Sequence, residues 1–152
     1  MRLFTLFLLF AVCVLAGDHF QSCSGPSAVL DIESFSIEPY HITLGKNVTI
    51  RGVGELKTVI TDGAVANVSV YFNRSPLFNK TFDLCKDAKD YGLPIKCPIL
   101  PSSGHVQSLT FELPEFVRVG HYTGRLNSHL ADGTEIICVD FDFWVWTQPI
   151  TN

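Results

Sequence analysis

Between Asp132 and Trp146 the chain alternates with a strict period of two. Ile137, Val139, Phe141, Phe143 and Val145 fall on one face, and Ile136, Cys138, Asp140, Asp142, Trp144 and Trp146 on the other. Alternation of β-branched and aromatic residues after an Asp132-Gly133 turn pair predicts a strand of a packed sheet. Similar segments precede it. Val29 to Ile37 predicts a first strand whose apolar phase shifts near Ser34, the signature of a bulge. Glu38-Pro39 breaks it. Asn47 to Gly52 carries Val48 and Ile50 on one face, and Glu55 to Thr61 predicts a flatter strand ending at Asp62-Gly63. Val65 to Asn73 sets Val68, Val70 and Phe72 against Asn67, Ser69, Tyr71 and Asn73. Phe78 to Leu84, Val106 to Leu113 and Gly120 to Leu130 complete the set. No segment sustains a helical period. Seven or eight short strands punctuated by turns predict an all-β chain folded as a β-sandwich.

The first sixteen residues break this pattern. Met1-Arg2 precedes Leu3 to Leu15, where Thr5 is the one polar residue, and small residues follow at Val14-Leu15-Ala16. This predicts a cleaved signal peptide over residues 1–16, too short for a membrane span, and a single domain over 17–152. The product is expected to be soluble, and secreted or lumenal. Losing Arg2 leaves ten basic against fifteen acidic residues, a net charge of −5. That balance excludes a nucleic-acid ligand, which needs a basic face, and argues against tight resting contact with anionic membranes.

Four cysteines remain after cleavage. Of their three pairings we favour the nested one: Cys85–Cys97 closes a turn-rich loop, and Cys23–Cys138 staples the chain ends. Zinc is disfavoured because no C-x-x-C spacing occurs and the histidines are scattered. Sequons at Asn47, Asn67, Asn73 and Asn79 predict glycosylation, with Pro76 making Asn73 the poorest acceptor. Because glycans need water, Asn67 should face outward and Val68, Val70 and Phe72 inward.

Catalytic chemistry is thin. The chain has no G-x-S-x-G elbow, P-loop or H-E-x-x-H. Asp140 and Asp142 share a strand face but read as solvated acids. We expect no enzymatic activity and no cofactor or metal. The apolar face is more informative: Phe72, Phe82, Leu109, Phe111, Tyr122, Leu126, Leu130, Val139, Phe141 and Phe143 all point one way from their strands. Spacing does not separate a filled core from a cavity.

A resemblance does. Phe82-Asp83-Leu84-Cys85, Ile95-Lys96-Cys97-Pro98, Phe111-Glu112-Leu113-Pro114, Gly120-His121-Tyr122, and Asp132-Gly133 through Ile137-Cys138-Val139-Asp140-Phe141 resemble an ML domain. This is the lipid-recognition family that includes the Niemann–Pick type C lumenal sterol carrier. The nearest branch is the phosphatidylglycerol/phosphatidylinositol transfer proteins, since the chain lacks cysteines for the sterol carrier's short third disulfide. The resemblance implies an immunoglobulin-like sandwich of two antiparallel sheets with a lipid between them. It implies a cavity lined by Val70 and the inner-face residues above, and a monomeric carrier in transient contact with membranes. Secretion or residence in the endosomal/lysosomal lumen would follow. Arg51, Lys57, Arg118 and Arg125 are candidate head-group contacts. A sterol carrier of the same fold and a recognition module with a solid core are the alternatives.

Overall fold

The computed structural model describes residues 19–90 and 95–147; the leader read at residues 1–16 lies outside them. Nine strands appear in chain order: β1 Phe20–Ser22, β2 Leu30–Glu38, β3 Ile42–Thr43, β4 Asn47–Leu56, β5 Val65–Phe72, β6 Ser75–Asp83, β7 Ser102–Glu112, β8 Gly120–His129 and β9 Glu135–Trp146. They form two sheets. The larger runs β1-β9-β8-β5-β6 and the smaller β2-β4-β7; these neighbours pair antiparallel. Two-residue β3 adds a parallel pairing to the end of β9, Ile42 opposite Val145. Among the described residues no helix is long and apolar enough to cross a membrane.

Residues opposite one another across a ladder share a face. In the larger sheet Ala66, Val68, Val70 and Phe72 stand opposite Ser128, Leu126, Gly124 and Tyr122. Those in turn stand opposite Ile137, Val139, Phe141 and Phe143. This face looks toward the smaller sheet; the reverse face carries the polar set, with Asn67 exposed. In the smaller sheet a bulge falls between Ile32 and Ser34. The extra residue restores the phase, so that Ile32 and Phe35 both face inward despite odd spacing.

One expected strand is absent. Glu55 and Leu56 finish β4 rather than opening a new element, and Ile60 makes only an isolated bridge to Ile99. The Lys57 N–H donates to the Val29 carbonyl oxygen (2.8 Å) as a last rung in the β2–β4 register, and beyond it the chain leaves the sheet. The Asp132-Gly133 turn forms as expected. Gly133 adopts φ 87°, which glycine tolerates without a Cβ clash. Asp132 Oδ1 accepts the Thr134 N–H at 2.9 Å, a bond that favours the ionised carboxylate and lowers its pKa.

The two disulfides are Cys23–Cys138, 115 residues apart, and Cys85–Cys97, 12 apart. The first ties the N-terminal segment to β9 beside β1. There Phe20 also packs on Phe35 of β2, ring centroids 4.3 Å apart, so the sheets are fastened along their β1/β2 edge. In the chain-entropy model the long loop contributes about 5 kcal/mol and the short one about 3.

Buried apolar residues fall into two clusters. Leu56, Ile60, Ala64, Ile136, Ile137 and Val139 fill one end. Ile37, Ile42, Val48, Tyr122 and Val145 fill the other. The sandwich is packed at both ends and hollow between them.

Candidate functional site: an apolar cavity between the sheets

The hollow has a volume of about 380 Å³. The larger sheet contributes Phe20, Val68, Val70, Leu126, Ile137, Val139, Phe141 and Phe143, and the smaller one Phe35, Ile37, Val48, Ile50 and Phe111. Ile42 and Leu113 close one end. Not one lining residue is polar. A second apolar space of about 230 Å³ adjoins it, sharing Phe35, Ile50 and Ile137 and reaching Leu109 and Ile95 of the cysteine loop. Small-molecule sites span about 300–1,000 Å³. A dry engineered core cavity of about 150 Å³ already takes benzene.

Gly124 shows how the space is shaped. A Cβ there would clash with Cζ of Phe141 and with the backbone oxygen of Ser69. Glycine therefore lets the Phe141 ring lie flat over β8 as part of the wall.

The residues singled out in the sequence divide. Val70, Phe111, Leu126, Val139, Phe141 and Phe143 border the larger cavity, and Leu109 the smaller. Phe72 and Tyr122 instead pack on each other, centroids 5.0 Å apart, and plug one end. Tyr122 is anchored there by its hydroxyl, which donates to the Arg118 carbonyl oxygen at 2.8 Å. Leu130 lies beyond β8 and packs on the opposite cluster. Phe82 sits on edge strand β6, under the Lys80 ammonium at 5.0 Å from its centroid. The lining from the smaller sheet, Phe35, Ile37, Val48 and Ile50, was not singled out. Its signal was the inward phase of Val48 and Ile50.

The open side follows from the sheet widths. Strands lie about 4.8 Å apart, so five span about 19 Å and three about 10 Å. With the sheets fastened at β1/β2, the larger one overhangs at β6. Phe78, which faces inward opposite Val70, is accordingly 40% exposed, and Phe111 on edge strand β7 is 38% exposed. Lys80 stands opposite Val68, in one row with Leu126 and Val139, so a cation projects from the inner face at this mouth. The four cations named as candidate head-group contacts are placed differently. Arg125 holds Asp140 on the outer face with two bonds of 2.6 and 2.8 Å, which lower the Asp140 pKa and raise that of Arg125. Lys57 pairs with Asp31 at 3.6 Å. Arg51 aligns with Ser36 and Ser108 on the outer face of the smaller sheet. Arg118 lies 4.5 Å from the Phe72 ring centroid. Asp142 accepts from, or pairs with, His121 Nε2 at 2.7 Å, so the two acids of β9 are each engaged separately.

All four sequon asparagines are exposed. Asn67 and Asn79 lie on the outer face of β5 and β6, where Asn67 Oδ1 accepts the Thr81 hydroxyl at 2.7 Å. Asn73 occupies the β5–β6 turn at φ 47° and its Oδ1 accepts the His121 N–H at 3.1 Å.

Two fastened sheets around an apolar hollow match a known pattern. The sequence model of the ML domain fits residues 17–145. The chain belongs to the ML-domain family. A phosphatidylglycerol/phosphatidylinositol transfer protein of Eremothecium gossypii is 32% identical over 132 residues, covering 87% of this chain and 57% of that protein. One of the same name from Mycosarcoma maydis is 27% identical over 124 residues, covering 82% of this chain and 64% of that protein. The ML chain thus spans about three-fifths of the length of these relatives. Among solved structures, a Niemann–Pick type C2 protein from Japanese carpenter ant superposes with TM-score 0.59 at 15% identity, over 84% of this chain and 98% of that one. Chicken MD-1, solved in complex with lipid IVa, gives 0.54 at 21% identity over 82% and 86%. At these identities the structural likeness speaks for the fold alone, an immunoglobulin-like ML sandwich.

Proposed function

We propose that this ML protein is a soluble lipid carrier, secreted or lumenal and monomeric, that takes a phospholipid of the phosphatidylglycerol/phosphatidylinositol class between its sheets and moves it between membranes. The observation that carries the reading is the cavity of about 380 Å³ with a wholly apolar lining. The names of the fungal relatives supply the lipid class, and the lipid IVa bound to MD-1 supports lipid occupancy of this fold.

The mechanism is physical. Acyl carbons enter past Phe78 and Phe111, and the head group stays at the mouth, where Lys80 meets its phosphate. Burying one methylene is worth about 0.8 kcal/mol against water, so a 16-carbon chain gains roughly 13 kcal/mol gross. A bilayer returns nearly the same amount. Exchange is therefore close to neutral, which lets one site both load and release. Residues 17–152 form the carrier domain, glycans on Asn47, Asn67 and Asn79 keep its outer face hydrated, and no covalent step is involved.

Organic extraction of purified protein followed by mass spectrometry tests the reading. Phosphatidylglycerol or phosphatidylinositol in near-stoichiometric amount is the expected result. Recovery of sterol would reassign the cargo, and an empty extract together with no melting shift on adding either lipid would end the carrier reading.

A further inference from the structure

Gly52 is a glycine that the backbone does not require. It lies inside β4, opposite Phe35 of β2 and Gln107 of β7, and the bulges of these ladders fall elsewhere, at Ile32/Ser34 and Gly54/Leu56. A Cβ added at Gly52 would have the Phe35 ring as its nearest neighbour, at 3.5 Å, an ordinary contact. Gly54 differs, because its Cβ would clash with the Asp31 carbonyl oxygen, and the packing of β2 on β4 accounts for it. A glycine inside a strand weakens the strand. Where no bulge and no neighbouring backbone explains it, the remaining reason is room for something that approaches closely. Gly52 points inward with Ile50 and Phe35, and it borders the smaller apolar space of about 230 Å³.

That space and the larger one are partly divided. Phe35 and Ile50 from the smaller sheet and Ile137 from the larger border both and form a neck between them. Along β4 the larger space borders Val48 and Ile50, and the smaller one Ile50, Gly52 and Gly54, so from the neck they run in opposite directions. Both reach edge strand β7, the larger at Phe111 and the smaller at Leu109, two residues or about 7 Å apart. One mouth serves two chambers.

We propose that the carrier holds a two-chain lipid with its chains parted, one in each chamber, and that Gly52 keeps the second chamber open. The inference rests on the carrier reading and deepens it. The cargo is a diacyl glycerophospholipid, and the neck at Phe35, Ile50 and Ile137 lies between its chains. A one-chain lipid occupies the larger chamber alone. A rigid fused-ring lipid has no second chain to send past the neck.

The test uses mature protein with radiolabelled dipalmitoyl phosphatidylglycerol and its one-chain lyso form, each offered as monomers in dilute detergent and counted after gel filtration. Gly52→Val puts two methyl groups beyond the Cβ into the smaller chamber, and valine suits a strand. It should weaken diacyl binding about tenfold, the worth of about two methylenes, and leave lyso binding as in wild type. Leu109→Phe, which enters the same chamber from β7, should do the same. Equal weakening of both lipids in variants that melt normally, or weakening of neither, would overturn the proposal. Wild type gives a second measurement that needs no variant. Phosphatidylglycerol with a photoreactive group in the middle of one chain should label peptides holding Gly52 or Leu109 as well as those holding Leu126. Label at Leu126 alone, with the group on either chain, would overturn the parted chains and leave the carrier reading standing. A wild type that binds neither lipid would remove the carrier reading itself.

Discussion

Replacing Leu126 separates a cavity wall from an ordinary core. Leu126 stands between Val68 and Val139 across the larger sheet and is half-buried beside the hollow. In a filled core Leu→Ala costs about 2–5 kcal/mol, and much of that grows with the void it creates. Here the void already exists, so the loss is confined to the contacts of three carbons. At about 0.8 kcal/mol per buried carbon the ceiling is about 2.4 kcal/mol, and part-burial brings it to about 1–2. Leu126→Phe is the sharper variant. In a packed core the larger ring would strain its neighbours by about 1–3 kcal/mol. In a hollow of about 380 Å³ it has room, so the lipid-free variant should unfold within about 1 kcal/mol of wild type while taking volume from the ligand. The assay is urea unfolding of delipidated protein alongside uptake of a fluorescent phosphatidylglycerol. Wild type should gain about 2.7 kcal/mol at a hundredfold excess of lipid over Kd, and Leu126→Phe far less. A Leu126→Phe protein that unfolds more than about 3 kcal/mol early, with lipid uptake unchanged in its folded fraction, would refute the reasoning.

Gly124→Ala should destabilise by about 1–3 kcal/mol in thermal melts, since its Cβ meets the Ser69 backbone as well as the movable Phe141 ring; a neutral effect would mean β8 is free to shift. Lys80→Glu, on an exposed edge, should leave the melting point unchanged yet reverse a preference for phosphatidylglycerol over phosphatidylcholine in competition binding. Asp140 has its pKa lowered by the Arg125 bonds, so its small contribution to stability is present above the unfolded carboxylate value of about 4 and is lost as pH falls through the lower folded value. Denaturant titrations at a series of pH values should show that acid loss shrinking in Asp140→Asn.

Much of this architecture is legible in the sequence because alternation reports which face of a strand is apolar. The register of β5, β8 and β9 keeps each inward residue of one strand opposite inward residues of the next, as the phases of Val68–Phe72 and Ile137–Val145 imply. Even the bulge near Ser34 shows as a skipped beat. What alternation lacks is position along the strand. Phe72 and Val70 share a face, yet one plugs an end and the other borders the cavity, because only the packing of Tyr122 and the 114–119 loop sets where the hollow stops. Phe82 fails for a related reason: its strand is the edge, and strand order is a long-range outcome. The strand expected over Glu55 to Thr61 had weak alternation, and past the Lys57 rung Ile60 makes just an isolated bridge, to Ile99.

The unequal fastening of the two sheets turns the sandwich into a hinged book. The Phe20–Phe35 contact and the bond from the Val29 N–H to the Glu135 carbonyl oxygen (3.0 Å) form the spine, and the β6 and β7 edges are the free margins. The smaller sheet is a cover about 10 Å deep, so each 10° of opening about the spine parts the margins by roughly 1.7 Å. Parting the margins would strain the side-chain packing of the two end clusters but break no strand pairing. On the carrier reading, cargo thickness would then be set against an opening angle, and lipids of differing chain bulk would ask for no change in the lining.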